Sequence, residues 1–213
     1  MESDALIRLV PENDIQIARH AMRLLQERHA KTRCVTREFS TDDEPGFSHA
    51  MLRTVWMDHA TGEMTAKNSS SALGGMIFAL TSVEEKYPGD RRERERFSKY
   101  GVPSISWQIR FAAEDFDALS VPTLLEILKV KPSPIVRLAL ASACQRLTVE
   151  QRKPIVLTLL AHEEDKDDAN LPLMDWYAAE PIVAADVAWA AEALAACKIP
   201  KVSEYIARRM SEK

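Results

Sequence analysis

Glycine is scarce in this chain: six in 213 residues, about 3% where ~7% is usual. So few residues free to take a positive φ exclude a hairpin-rich sheet protein and leave no glycine-rich phosphate loop. No GxSxG, Walker A or GxGxxG run is present, and Gly74-Gly75 follows serines without a preceding strand pattern. The three cysteines, Cys34, Cys144 and Cys197, stand too far apart for CxxC, CxxCH or a zinc spacing. Each reads as a small packing residue, with a reactive or disulfide-forming thiol as the alternative; an odd count without a framework suits a reducing compartment. Long apolar runs are also missing. Residues 72–80 form the most apolar short run, half of the ~18 needed to span a bilayer, so no membrane span is expected. The first eight residues are acidic and lack the basic start and apolar stretch of a secretory signal, so the chain as written reads as cytoplasmic. Nor is there an excess of basic charge: 28 Lys and Arg against 32 Asp and Glu give a net charge of -4. No global field favours nucleic acid or anionic membrane, and no nucleic-acid partner is expected.

What is present is helical patterning. Apolar residues make up 46% and charged residues 28%, a globular balance, and the length suits one domain or one short array of repeats. Residues 13–28 place Ile17, Ala21, Leu24 and Leu25 at helical spacing, with Asn13 or Asp14 as the cap and arginines on the wet face. After a break at 40–46, residues 47–59 return to helical spacing through Met51, Leu52, Val55 and Trp56. The next stretch is the least regular, an apolar run opened by Asn68-Ser-Ser-Ser71 and closed by Lys86-Tyr-Pro-Gly-Asp90. Ser120-Val-Pro122 opens a helix through Leu124, Leu125 and Leu128; Ser133-Pro134 caps and launches another over 135–147. Thr148 and Gln151 have capping-box spacing before a helix to about Leu160, where Pro154 marks the start or a kink. Residues 162–170 read as an acidic, solvated linker. Three further helical pieces follow, roughly 173–179, 183–197 and 200–211, punctuated by Pro181 and Pro200.

No period-2 strand pattern appears, and the fold class is all-α. Residues 17–25, 105–113 and 136–144 share one pattern: an apolar start, a small or apolar residue four on, and an apolar pair at the end. Each resembles the second helix of a HEAT-type repeat, so the expected architecture is a HEAT-like α-solenoid of stacked antiparallel helix pairs with irregular insertions. The whole of 1–213 is one helical-repeat domain on this reading, irregular over 1–100 and more regular over 101–213. Leu6, Ile7 and Leu9 at one end, and Ile206 and Met210 at the other, are the expected exposed apolar ends, open to dimerisation.

The search for chemistry assigns no catalytic, cofactor-binding or metal-ligating residue. His20, His29, His49, His59 and His162 include no HExxH and no pair at i, i+4. His59 and His162 are the histidines to test for a metal-dependent activity. Asp165, Asp167 and Ala169 stand at alternate positions in the acidic linker, but the loop lacks the glycine and terminal glutamate of an EF-hand. The alternating run RRERER at 91–96 reads as a solvated helix face, with nucleic-acid contact by Arg91, Arg92, Arg94 and Arg96 as the minor alternative. Trp56, Trp107, Trp176 and Trp189 sit in apolar helical stretches and read as core.

Residues 170–183, NLPLMDWYAAEPIV, are too particular in order for generic helix. With KPSPIVRLALASACQRL at 131–147 and KIPKVSEYIARR at 198–209, they closely resemble the HEAT-repeat region of the PVC-type haem-binding CxxCH proteins. The likeness extends to residues 13–28, 52–62 and 106–115 in the family's order. In that family a membrane-bound-dehydrogenase-like propeller precedes the repeats, a c-type cytochrome domain follows them, and the protein is exported. The resemblance implies the helical-repeat fold and a scaffold role. It implies no haem ligand and no cofactor here, because these 213 residues contain no CxxCH. The expected function is a non-enzymatic scaffold or protein-interaction module, a fragment or shortened paralogue of such a protein. The alternative is an accessory of an electron-transfer or carbohydrate- or alcohol-oxidising complex, with propeller or cytochrome c modules as partners.

Overall fold

The computed structural model describes residues 2–11, 14–28, 47–63, 105–114, 120–130 and 133–212, and every helix or strand element among them is helical. Cys34, His29, the apolar run at 72–80 and the charged run at 91–96 lie outside the described residues, as does the side chain of His49. The helices are α1 (Ser3–Ile7), α2 (Ile15–Glu27), α3 (Phe47–Ala60), α4 (105–112), α5 (Val121–Val130), α6 (Pro134–Cys144), α7 (Val149–Leu160), α8 (Leu171–Ala185), α9 (Val187–Ala196) and α10 (Pro200–Ser211), with a 3-10 turn at Glu163–Asp165.

Local chemistry sets most of the starts. Asp14 caps α2, its Oδ1 accepting from the amides of Gln16 (2.8 Å) and Ile17 (3.3 Å). Ser133 caps α6, and Pro134 occupies its first turn, where a missing N–H costs nothing. Thr148 and Gln151 form a complete capping box: each side chain accepts from the other's backbone amide, at 3.3 and 3.0 Å.

The prolines need one choice between alternatives and one correction. Pro154 does not start α7; it lies inside a helix already begun at Val149 by the capping box. Pro181 likewise does not divide the chain into 173–179 and 183–197, because α8 runs through it to Ala185. The carbonyl orphaned by Pro181 belongs to Tyr177, a residue half exposed to solvent. The break falls at Asp186 instead, in extended conformation (φ -134°), where its carboxylate accepts from the Trp189 amide at 3.0 Å and starts α9.

The main core runs from α4 to α10. From α5 onward each helix packs on the next in sequence and on the next but one: α5 on α6 and α7, α6 on α7 and α8, α7 on α8 and α9, α8 on α9 and α10. Buried alanines at 139, 141 and 143 on α6, 178 and 179 on α8, and 190 and 193 on α9 let the backbones approach closely. A smaller cluster joins α1, α2 and α3 through Leu6, Val10, Ala21, Leu25 and Met57. Trp56 of α3 meets Trp107 of α4 edge to face, ring centres 5.3 Å apart, with Phe111 beside them. Among the described side chains of α3, Thr54, Met57 and Asp58 are buried and Trp56 half-buried, while those of Met51, Leu52 and Val55 lie outside the described residues. Of the expected apolar ends, Leu6 and Ile206 are buried, which corrects the expectation for those two, and Ile7, Leu9 and Met210 are partly buried; among the described residues the exposed large apolar side chains are Ile15, Ile17, Ile135, Leu173, Tyr177 and Val187.

Candidate functional site

The densest set of buried ionisable groups lies where α6, the 161–170 connection and α8 meet. Arg137 sits on α6 between the buried stripe residues Val136 and Ala139, and is itself 2% exposed. Its Nε donates to Asp165 Oδ2 at 2.6 Å and its other arm to Oδ1 at 2.5 Å, a bidentate fork on a carboxylate equally buried. The third guanidinium nitrogen lies 3.4 Å from Glu164, which also meets His162 Nδ1 at 2.8 Å. Hydrogen bonding to its own backbone amide, then to His162, holds the Glu164 carboxyl below the usual range. The composition of 162–170 predicts a solvated linker; the 3-10 turn instead folds Asp165 inward to meet the buried guanidinium, which needs a counter-ion.

Asp175, on the first turns of α8, is fully buried, and neither carboxylate oxygen has a hydrogen-bond partner among the described residues. Burial pushes its carboxyl up to about 7 from 3.8, Asp165 and Asp168 add to that by repulsion, and Arg137 opposes it. Asp168 is engaged elsewhere: its Oδ1 accepts from the amides of Asn170 (2.8 Å) and Leu171 (2.9 Å), fixing the start of α8 and lowering its own carboxyl. Cys144, buried at the end of α6, has its thiol pushed up to about 12 by desolvation, with Arg152 opposing and Asp175 adding. That thiol stays protonated and is no nucleophile near neutral pH. The cluster fastens a connection to a helix and keeps a proton on Asp175 in the acid range.

The sequence-selected residues fall elsewhere. His59 Nε2 lies 2.9 Å from Glu114 and its ring stacks on Phe111, centres 3.9 Å apart, while His162 is beside Glu164. The structure does not bring the two histidines into one site, and no group of three His, Cys, Asp or Glu able to hold a metal occurs among the described residues. Trp189 is buried, Trp56, Trp107 and Trp176 are half-buried, and Arg110 lies 5.0 Å above the Trp107 ring. Cys197 is half-buried, its Sγ 3.5 Å from the Ile199 carbonyl. Arg137 and Asp175 went unselected. The signal for Arg137 was its place beside Val136 inside an apolar stripe; for Asp175 it was an acid between Met174 and Trp176.

A groove of about 840 Å³ opens between α1 and α2, lined by Leu6, Leu9, Ile17, Ala21 and Leu24 with Gln16, Arg19, His20 and Arg23. No described helix is long and apolar enough to cross a membrane. Comparisons with family models, with curated proteins and with solved structures return no match for the chain.

Proposed function

We propose that the chain is a non-enzymatic helical-repeat scaffold, a HEAT-like stack that holds a protein partner on its surface. Support for the stack comes from the regular packing of α5 to α10, each helix on the next and the next but one, as a layered array of helix pairs requires. The observation that carries the scaffold role is the division of side chains. The strongly perturbed acid and thiol are sealed inside, while Leu173, Tyr177 and Val187 of α8 and α9 stay on the surface. Tyr177 presents an apolar ring with a polar tip, the kind of side chain that anchors protein interfaces. The likeness to the haem-binding CxxCH family makes propeller and cytochrome c modules the first partners to try.

A photo-crosslinking residue placed at Tyr177 or Val187 tests this. A saturable adduct with one protein, competed by unlabelled chain and weakened by Leu173→Glu, is the expected result. Turnover of a small molecule with no protein adduct at either position overturns it.

A further inference from the structure

The three segments that share a sequence pattern differ on one face. Numbering each from its apolar start, the first, fourth and eighth positions fall on one side of a helix. In α4 these are Ile105, Gln108 and Ala112, and in α6 Val136, Ala139 and Ala143; all six are buried. In α2 they are Ile17, His20 and Leu24: Ile17 is 46% exposed, His20 is exposed, and Leu24 only partly covered. The remaining inward positions of α2, Ala18, Ala21 and Leu25, are buried as in the other segments, so the helix is docked by one face and open on the neighbouring one. That open face is the floor of the α1–α2 groove. Where α6 carries the same pattern, neighbouring helices α5, α7 and α8 pack on it. An additional helix is the shape that would complete α2 in the same way.

Charge narrows the occupant. Arg19, His20 and Arg23 line the groove, and among the described residues no acidic one does, in a chain whose net charge is -4. Arg23 reaches Glu27 at 3.4 Å, but both side chains are more than half exposed, and such a pair exchanges readily for a better-placed carboxylate. We propose that the α1–α2 groove is a docking site for an amphipathic helix of a protein partner, its apolar stripe on Ile17, Leu24 and Leu9 and its flanking carboxylates on Arg19 and Arg23. A concave floor between two helices suits a helix better than a flat bilayer. The proposal rests on the scaffold reading and assigns it a second surface, distant in sequence from Tyr177.

The test uses the full chain and two fluorescein-labelled helical peptides with leucines at i, i+3, i+4 and i+7, one with glutamates on its flanks and one with lysines. Anisotropy titration should show saturable binding of the glutamate peptide and at least about tenfold weaker binding of the lysine peptide. Ile17→Glu should weaken the glutamate peptide at least about tenfold. Arg19→Glu with Arg23→Glu should reverse the preference between the peptides, with circular dichroism unchanged because all three side chains are exposed. Equal binding of both peptides, or no effect of Ile17→Glu, overturns the proposal. So does tighter binding to phosphatidylserine vesicles lost with the same substitutions, or a dimer seen by sedimentation that Ile17→Glu dissociates. A peptide that fails to bind while the Tyr177 adduct forms removes the groove and leaves the scaffold reading standing; binding of the peptide without any adduct does the reverse.

Discussion

At the scale of single residues, the buried charges are where removing one side chain does the most damage. Arg137 and Asp165 are desolvated together, so removing one partner leaves the other as an uncompensated buried charge. Arg137→Met is expected to cost about 3–5 kcal/mol, and adding Asp165→Leu to recover most of that loss, measured by urea denaturation. Asp175 gives a pH dependence whose sign follows from its raised folded value. Between 3.8 and about 7 the folded state holds a proton that the unfolded state has released, so stability falls as pH rises through that interval and levels off above it. At ~1.36 kcal/mol per pH unit the loss is roughly 4 kcal/mol. Asp175→Asn should flatten the dependence, leaving the variant more stable than the parent at pH 8 and not at pH 4, read from urea midpoints at the two pH values. Neither residue was legible as part of a site, because an Arg or Asp within an apolar helix stripe looks the same whether it snorkels to water or finds a buried partner. The partner of Arg137 is 28 residues away in a stretch whose composition is that of a solvated loop.

At the scale of helices, starts were legible and stops were less so. Asp14, Ser133 and Thr148 cap helices as their sequence signatures indicate, because a cap is decided within four residues by a side chain meeting its own backbone. Thr148→Ala should therefore destabilise the chain by about 1 kcal/mol in thermal or urea unfolding. Pro181 misled because a proline's local cost is fixed while the packing that outweighs it is not. Pro154 sits in a helix whose following residues Ile155, Val156, Leu159 and Leu160 are all buried, and Pro181 is followed by buried Ile182 and Val183. Burial at roughly 1.5–3 kcal/mol per large aliphatic side chain exceeds the ~3 kcal/mol of one interior proline.

On the scale of the whole molecule, α8 is the hub, packed on α6, α7, α9 and α10. Opening α8 requires separating four neighbours, so its amides should be the slowest to exchange with deuterium and should exchange only through global unfolding. Those of α1, five residues long and joined to the smaller cluster, should exchange faster by orders of magnitude. Hydrogen exchange read by mass spectrometry checks this ranking; equal protection of α1 and α8 would contradict it. The open face of α2 belongs to the smaller cluster and not to the main core.

Composition and periodicity alone determined the all-helical class and most helix starts, since glycine scarcity, apolar spacing and caps act over a few residues. Tertiary structure decided which of three similar helices keeps its first, fourth and eighth positions covered, which acid of the 162–170 stretch turns inward, and which proline a helix runs through. These outcomes depend on what lies across the interface, at sequence separations that no local pattern spans. An exposed isoleucine and a buried one are the same letter until a neighbouring helix is, or is not, packed against them.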